Sequence, residues 1–398
     1  MAKLSKKELE DKIKNVVSDV LDKDYEKVKE ESKNYVKEMM AKAEETRKAV
    51  KSGEKGQNVE KFIRALIAGK GNIEKAADFA KKKMKDEKLE KSLRITDYED
   101  GGVLAPYEYS SELIDLLRPL TVVRQLGARV LPLSGGMIMP RQVSGSSAFY
   151  VGEEGEVNAS KLQFGDLKFE EKELMTVVPV SNKLIRVAGE RANQVVTDDI
   201  TQNMAIKSDA AFIRGQGTEF SPKGMFYWAD SDNKVSMSDD GGSITLETVD
   251  YDLTNLMYKL KAADIPMIRP GWIISPRTEI YLMRLKDSNG NYVYRDEMKD
   301  GLIWGMPYRA TNQIADNLGN NGDESEVYLA DFAQLIIAES SQVQFLVSNE
   351  ASYKDANGNL VSAFSKDQTV VRAKAIHDFG ARHDKAIAVL EGVTWGTS

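Results

Sequence analysis

A long amphipathic stretch that ends at a pair of glycines constrains the fold of this chain most strongly. Across residues 195–214, apolar side chains recur at the 3.6-residue spacing of a helix with one buried side, while Asp209 and other charged residues fall on the opposite side. We expect the helix to begin at Thr197 or earlier, near Asn193. Gly215 predicts its end, because glycine enters the left-handed conformation without a steric penalty. This stretch forms a framework and contains no pattern typical of a reaction centre.

The length and composition of the chain indicate a soluble protein of several domains. Its 398 residues exceed a typical single core, so two or three domains are expected. The absence of cysteine excludes disulfides and thiolate metal sites. Apolar runs are far shorter than the roughly 20 residues that span a bilayer, and the N-terminus lacks the apolar segment of a signal peptide. We therefore expect synthesis in a cytoplasm and no membrane partner.

Charge divides the chain into a basic first part and an acidic remainder. Residues 1–94 carry 26 Lys and Arg against 19 Asp and Glu, whereas the rest carries 29 against 43. The basic excess fits either a solvated helical face or a segment that contacts an acidic partner, such as nucleic acid or the acidic remainder itself.

The basic part has the pattern of a helical leader. Residues 4–50 contain no Pro or Gly and repeat apolar residues at three- and four-residue steps, which favours association between helices in a coiled coil. Glycines near residues 53–56 end this helix. A shorter helix over 59–68 and a very basic third helix over about 73–92 are expected to follow.

Beyond Arg94 the pattern changes to short strands, turns and few helices. An extended arm at 101–106, a helix at 109–117 and strand-like runs between 122 and 131 are expected first. Residues 135–172 alternate polar and apolar side chains, which predicts a long two-stranded hairpin with little core of its own. Such a ribbon is stabilised only by lying on another surface.

The C-terminal half predicts a second long helix at 248–262 among mostly antiparallel strands, so the body is α+β. Strands are expected at 271–274, 327–330, 333–338, 343–347, 368–377 and 386–390. Trp272 and Trp304 fall in strand or turn contexts and are expected to be core residues.

No catalytic residue, cofactor-binding residue or metal ligand is predicted. Glu153, Glu154 and Glu156 lie on a glycine-rich hairpin, which is a poor holder for paired acid and base carboxylates. His377 and His383 are the two histidines of the chain, too few for a metal site without a third ligand. An enzyme with a substrate cleft is therefore a remote alternative.

A family resemblance is carried by seven short motifs that follow one another along the chain. They are Gly101–Pro106, Val123–Gly127, Gly215–Gly217 with Pro222–Gly224, Trp272–Pro276, Leu285–Asp287 with Gly290–Tyr292, Trp304–Pro307 and Arg372–Gly392. Over roughly residues 100–395 this order resembles the major capsid proteins of tailed bacteriophages, which have the Hong Kong 97 fold.

The resemblance implies a division of the chain into named parts. In order, these are a helical coiled-coil leader that acts as a scaffold (1–93), an N-terminal arm with the first peripheral strands (94–134), an extended hairpin loop (135–172), a peripheral domain with a long spine helix (173–225), an axial domain (226–365), and return strands of the peripheral domain (366–398).

The resemblance also implies the function and the partners. The expected protein self-assembles through hexamers and pentamers into an icosahedral shell around double-stranded DNA, with a portal, a maturation protease and decoration proteins as further partners. A protease would remove the leader near residues 94–101. The alternative is an encapsulin-like nanocompartment that encloses protein cargo, although those shells generally lack such a leader.

Some members of this family join neighbouring subunits through an isopeptide bond between a loop lysine and an asparagine, promoted by a glutamate. Lys161 is a possible lysine for that role, but residues 368–379 contain neither Glu nor Asn. We therefore expect no self-crosslinking.

Overall fold

The computed structural model describes residues 57–69, 72–95, 103–104, 121–144, 163–184, 190–238, 244–340, 343–355 and 357–397. Three of the expectations above lie outside these residues: the helix over 4–50, the helix at 109–117 and the tip of the hairpin.

The described helices range from single turns to seven turns. They are α1 (Gln57–Ala68), α2 (Ile73–Phe79), α3 (Glu87–Ile95), α4 (Val122–Gln125), α5 (Glu190–Arg214), α6 (Met225–Trp228), α7 (Leu246–Ala262), α8 (Pro276–Arg284) and α9 (Arg295–Lys299). A π-helical turn, Ala80–Met84, continues α2.

The described strands are mostly short. They are β1 (Val103–Leu104), β2 (Arg129–Pro132), β3 (Met137–Ser144), β4 (Gln163–Phe169), β5 (Lys172–Ser181), β6 (Lys234–Ser236), β7 (Pro270–Ile274), β8 (Leu302–Ile303), β9 (Met306–Ala310), β10 (Ser325–Asp331), β11 (Leu335–Glu339), β12 (Gln344–Ser348), β13 (Ser352–Lys354), β14 (Leu360–Ser362), β15 (Gln368–Ala381) and β16 (Ile387–Val393).

Side-chain caps fix the starts of α7 and α8. Thr245 and Thr248 form a reciprocal capping box at α7. Ser275 accepts a hydrogen bond from the Thr278 N–H, and Pro276 occupies the first turn of α8, where its missing N–H costs nothing. Local sequence therefore sets these boundaries.

Two six-stranded sheets organise the body. In the first, β15 is central: β5 pairs along one edge, while β12 and then β11 pair along the other. Strands β1 and β2 complete this sheet at its two ends. The second sheet has the order β6, β16, β10, β7, β9, β8 and carries α7 against it. The α+β expectation is confirmed.

The predicted segments 226–365 and 366–398 each contribute strands to both sheets. Strands β11 and β12 fall within the first of these segments but join the sheet of β15 and β5. Strand β16 falls within the second segment but pairs with β10 and β6. The chain thus crosses between the sheets at residues 332–334 and at residues 382–386. Strands that are neighbours in the sequence, such as β10 and β11, pair with different strands that lie far along the chain.

The α5 helix, called the spine helix below, packs with the side that its periodicity predicts. Val196, Ile200, Met204 and Phe212 are at most 4% exposed. The helix begins at Glu190, so Thr197 is not its cap, and Thr197 is buried. The expectation for Asp209 is wrong, because its side chain is buried.

The residues 122–126 were expected to be strand-like, and this is also wrong. Val122–Gln125 forms the single turn α4, and Gly127 follows it at a φ of 96°. Val122, Val123 and Leu126 still belong to a buried cluster together with Phe212 of the spine helix. Burial therefore explains the apolar run, whereas β propensity misassigned its backbone.

The helix predicted over 73–92 is interrupted. Lys85 adopts a left-handed conformation with φ 54°, and the Asp86 carboxylate then accepts the Leu89 N–H at the start of α3. The resulting unit, α1 to α3, packs its apolar residues against the spine helix and the first sheet. Residues 57–93 of the predicted leader therefore pack against the body of the same chain.

Candidate assembly surface

The first sheet presents apolar side chains on both of its faces along β5. Leu174, Val178 and Val180 pack into the cluster under the helices. The intervening Met175 and Val177 are 48% and 45% exposed. An antiparallel strand that is apolar on both faces is typical of a sheet covered on both sides. The outward face of β5 is therefore a candidate contact surface.

A groove of about 760 Å³ lies over this outward face. Its lining side chains include Val177, Pro179, Leu346, Tyr353, Val370 and Arg372. The Tyr353 hydroxyl donates a hydrogen bond to Gln368 Oε1 at 2.7 Å, which fixes the β13–β14 hairpin beside the groove. The groove is mostly apolar, and its charged lining residues are Lys354, Asp355 and Arg372, which together give it a net positive charge.

The base of the predicted long hairpin is confirmed, and it is anchored on the body. Strands β3 and β4 pair from Met137 with Phe169 to Ser144 with Gln163. Leu167 and Phe169 are each 2% exposed and belong to a cluster with the first sheet. The base thus has a core on its own body, which the sequence did not predict.

Close packing and an ion pair hold this base in place. A Cβ added to Gly380 would lie 2.9 Å from the Phe169 ring, so glycine at 380 lets the hairpin lie directly on β15. Arg141 forms an ion pair with Asp384 at 2.5 Å. The described base of the hairpin, up to Ser144 and from Gln163, is therefore part of the body.

The elbow after the spine helix is closely packed and carries an exposed aromatic ring. Gly215 does not adopt the left-handed conformation expected of it; Gly217 does, with φ 69°. Glycine is required at 215 by close approach, since a Cβ there would lie 2.3 Å from the Pro222 carbonyl oxygen. Phe220, at the tip of the loop, is 80% exposed.

A buried polar network ties the spine helix to α4 and to the first sheet. The Val122 N–H donates to Asp209 Oδ2 at 2.7 Å. Arg124 donates to Glu339 Oε2, also at 2.7 Å, and its guanidinium lies 5.5 Å from the Phe212 ring centre. Burial raises the pKa of Asp209 to about 6, against the opposing effects of the Val122 N–H and the nearby Arg124.

The two histidines do not come together in a site. His377 is buried against the Phe212 ring, with ring centres 5.1 Å apart. Burial, with a smaller effect from Arg124, lowers the pKa of His377 to about 3, so it is neutral at physiological pH. Burial also lowers the pKa of His383, which lies near the Arg141 and Asp384 pair.

Both tryptophans singled out in the sequence contribute to the core of the second sheet. Trp272 is fully buried and donates its indole N–H to the Ile303 carbonyl at 3.0 Å. Trp304 is partly buried against the same cluster and takes φ 51° in the turn between β8 and β9.

Chemistry-bearing groups are not clustered in the part of the chain that the structure describes. None of its helices is both long and apolar enough to cross a bilayer, and none of its His, Asp and Glu residues form a group of three that could hold a metal ion. Glu153, Glu154, Glu156 and Lys161 lie outside the described residues.

Sequence reasoning missed Asp209, Arg124 and Phe220. The sequence carries a signal for the outward face of β5 only. The apolar residues of this strand occupy consecutive positions, so they must lie on both of its faces. The network around Asp209 had no such signal, since its members are separated by more than 80 residues.

Comparison with known proteins agrees with this arrangement of sheets, spine helix and hairpin. A family model described as the phage capsid family matches residues 101–392. The major capsid protein of Klebsiella oxytoca phage phiKO2 is 38% identical over 339 residues, which cover 85% of this chain and 79% of that protein.

Solved structures with the same fold include a capsid chain of a native GTA particle and a chain of Mycobacterium phage Adephagia. The first has a TM-score of 0.53 at 15% identity and covers 68% of this chain and 90% of its own. The second has a TM-score of 0.52 at 16% identity, with coverages of 68% and 89%.

The family model and the phiKO2 relative place this mixed α and β subunit in a class of structural proteins that build capsid shells, and not in a class of enzymes. The chain belongs to the phage capsid family and is a major capsid protein, a component of the virion that self-assembles into capsid shells. The relatives found give no support to the nanocompartment alternative.

Proposed function

We propose that this chain assembles through hexamers and pentamers into an icosahedral shell that encloses double-stranded DNA, with its N-terminal leader acting as an internal scaffold. The observation that carries the proposal is the uncovered apolar face of β5, where Met175 and Val177 are about half exposed. A second copy supplies the missing cover, and heterologous contacts that close by rotation make rings.

The segment that fits this face is the hairpin tip of a neighbouring copy, residues 145–162. Its sequence places Phe149 and Tyr150 beside three glutamates. The groove offers the converse, since its lining combines apolar side chains with Lys354, Asp355 and Arg372, so that basic residues outnumber acidic ones. Apolar area and opposite charge therefore match across the contact.

Repetition of this contact stabilises the shell. A specific interface buries about 1,200 to 2,000 Å², and a subunit that makes several such contacts in a closed array gains avidity even where each contact is weak.

An acidic body suits a container for DNA. Residues 95–398 hold 29 Lys and Arg against 43 Asp and Glu. A strongly basic inner wall would hold the genome by many phosphate contacts and impede its packing and release. The further partners of the proposal are a portal, a maturation protease and decoration proteins, and assembly takes place in the host cytoplasm.

Val177→Asp tests the proposal at the groove. Because Val177 is already exposed, the variant is expected to fold with an unchanged circular dichroism spectrum but to form no shells, as seen by negative-stain microscopy and light scattering. Val195→Asp is the matched control, since Val195 is 63% exposed on the spine helix, away from the groove. Normal shells from Val177→Asp would refute the contact.

Two measurements on particles test the remaining parts. A high ratio of absorbance at 260 nm to that at 280 nm in particles purified from an infection is expected for packaged DNA, and a protein-like ratio would contradict it. A denaturing gel of mature particles is expected to show monomers only, because residues 368–379 lack the Glu and Asn of the crosslinking members.

A further inference from the structure

The helical unit α1 to α3, residues 57–95, completes a core of the body. Phe62, Ile63, Leu89 and Leu93 are fully buried, and Leu66 is 1% exposed. They form one cluster with residues of the spine helix and of β5, β12 and β15. The body side of the cluster includes Val196, Ile200, Met204, Phe345, Val371 and Ala373.

The contact between the unit and the body is specific. The Phe62 and Phe345 rings meet edge to face, with centres 5.9 Å apart and planes at 66°. The unit is also held together internally. Gly69 follows α1 at a point where no side chain fits, since an added Cβ would lie 2.6 Å from the Asn72 carbonyl oxygen. Lys81 forms an ion pair with Glu90 at 3.2 Å.

Neither side of this contact is complete alone. A segment of about 40 residues or fewer rarely buries enough surface to fold by itself. Loss of the unit would in turn uncover Val196 and Ile200 on the spine helix and Phe345 on the sheet, each at most 4% exposed in its presence. Exposed apolar surface of this kind leads to aggregation.

We propose that residues 57–95 are a permanent part of the mature subunit: a cut in the stretch 96–101 leaves them bound to the body, and only residues before Gln57 form a separable segment. The role of that separable segment as a scaffold rests on the proposed function above, whereas the retention of 57–95 depends on the packing alone.

Engineered scission of the full chain tests the division. The recognition sequence of a site-specific protease is inserted after Glu99 in one variant and after Lys55 in another, and the cut, unassembled chains are separated by native size-exclusion chromatography. The fragment that ends near Glu99 is expected to co-elute with the body in equal amounts. The fragment that ends near Lys55 is expected to elute apart.

Release of the fragment that ends near Glu99 would overturn the proposal, whether the body then stays soluble or precipitates. Persistence of the fragment that ends near Lys55 on the body at physiological salt would overturn the division at Gln57. Both readings use subunits that have not assembled, so they are independent of whether shells form.

Substitutions in the Glu99-site variant identify the contact responsible. Leu66→Asp is expected to release the fragment, while Lys83→Ala, on the exposed π turn, is expected to leave it bound. If the Leu66→Asp chain does not fold, Phe62→Ala replaces it, with dissociation at least about tenfold faster than in the parent, as expected for a loss of 1.4 kcal/mol or more. An unchanged rate would contradict the proposal.

The intact mass of subunits from mature particles provides an independent reading. The expected species is either the whole 44.3 kDa chain or a product that begins no later than Gln57, or two fragments that together retain 57–95. A particle whose subunits begin between residues 94 and 101, with no 57–95 fragment present, would overturn the proposal even if shell assembly itself were normal.

Discussion

Asp209→Asn is expected to make the unassembled subunit more stable at neutral pH. Asp209 is 2% exposed and accepts the Val122 N–H, and burial raises its pKa from 3.8 to about 6. Asparagine keeps the acceptor oxygen but carries no charge that burial must desolvate. The variant therefore removes a cost while it preserves the link between α4 and the spine helix.

The size of the effect follows from the two pKa values. The folded state holds the proton more tightly than the unfolded state, so the stability contributed by Asp209 is present below pH 3.8 and is lost as the pH rises through about 6. At about 1.4 kcal/mol for each pH unit of difference, the loss amounts to about 3 kcal/mol at pH 7.

Urea unfolding followed by circular dichroism at several pH values measures this difference. The gain of Asp209→Asn over the parent chain should be largest at pH 7 and fall below about 1 kcal/mol near pH 4. Asp199→Asn, on the exposed side of the same helix, is the control and should change stability by less than about 0.5 kcal/mol. A variant that is less stable than the parent at pH 7, by an amount independent of pH, would refute the reasoning.

Three further predictions follow from the same region. In the parent chain, the buried neutral His377 ring takes up a proton only on unfolding, so the free energy of unfolding should fall by up to about 5 kcal/mol as the pH drops from 6.5 to about 3. His377→Gln should abolish this fall. A pH profile in calorimetry that matches that of the parent would contradict this. Arg124→Met should lower the free energy of unfolding in urea by about 3 to 5 kcal/mol, because it leaves Glu339 buried without its partner. Adding Glu339→Leu should restore most of this stability. If the effects of the two substitutions simply add, the two side chains are not coupled. Gly215→Ala should cost about 1 to 3 kcal/mol because its Cβ has no room in the elbow, and a melting temperature equal to that of the parent would disprove the close approach.

Local patterns predicted those elements whose contacts are near in sequence. The spine helix followed from the period of Val196, Ile200 and Met204, and the paired base of the hairpin followed from alternation on either side of residues 145–162. The reversal at Asp287 is another local element, because its carboxylate accepts the N–H groups of Asn289 and Asn291.

Partner choice over long distances escaped prediction. The sequence cannot tell whether the apolar side of α1 faces a copy of itself or the sheet that carries Phe345, because the same stripe suits both. The buried carboxylate of Asp209 looked like an exposed one, since its partner Val122 lies 87 residues away.

Most helical and extended stretches of this capsid protein, although not α4 or the interruption at Lys85, follow from the sequence, since they depend on side-chain period, caps and turns within a few residues. Tertiary structure alone decided that residues 57–95 belong to the body, that β16 joins the second sheet, and that the outward face of β5 stays uncovered. Those outcomes depend on the shapes of two surfaces that meet in space, and no local pattern encodes the shape of a distant surface.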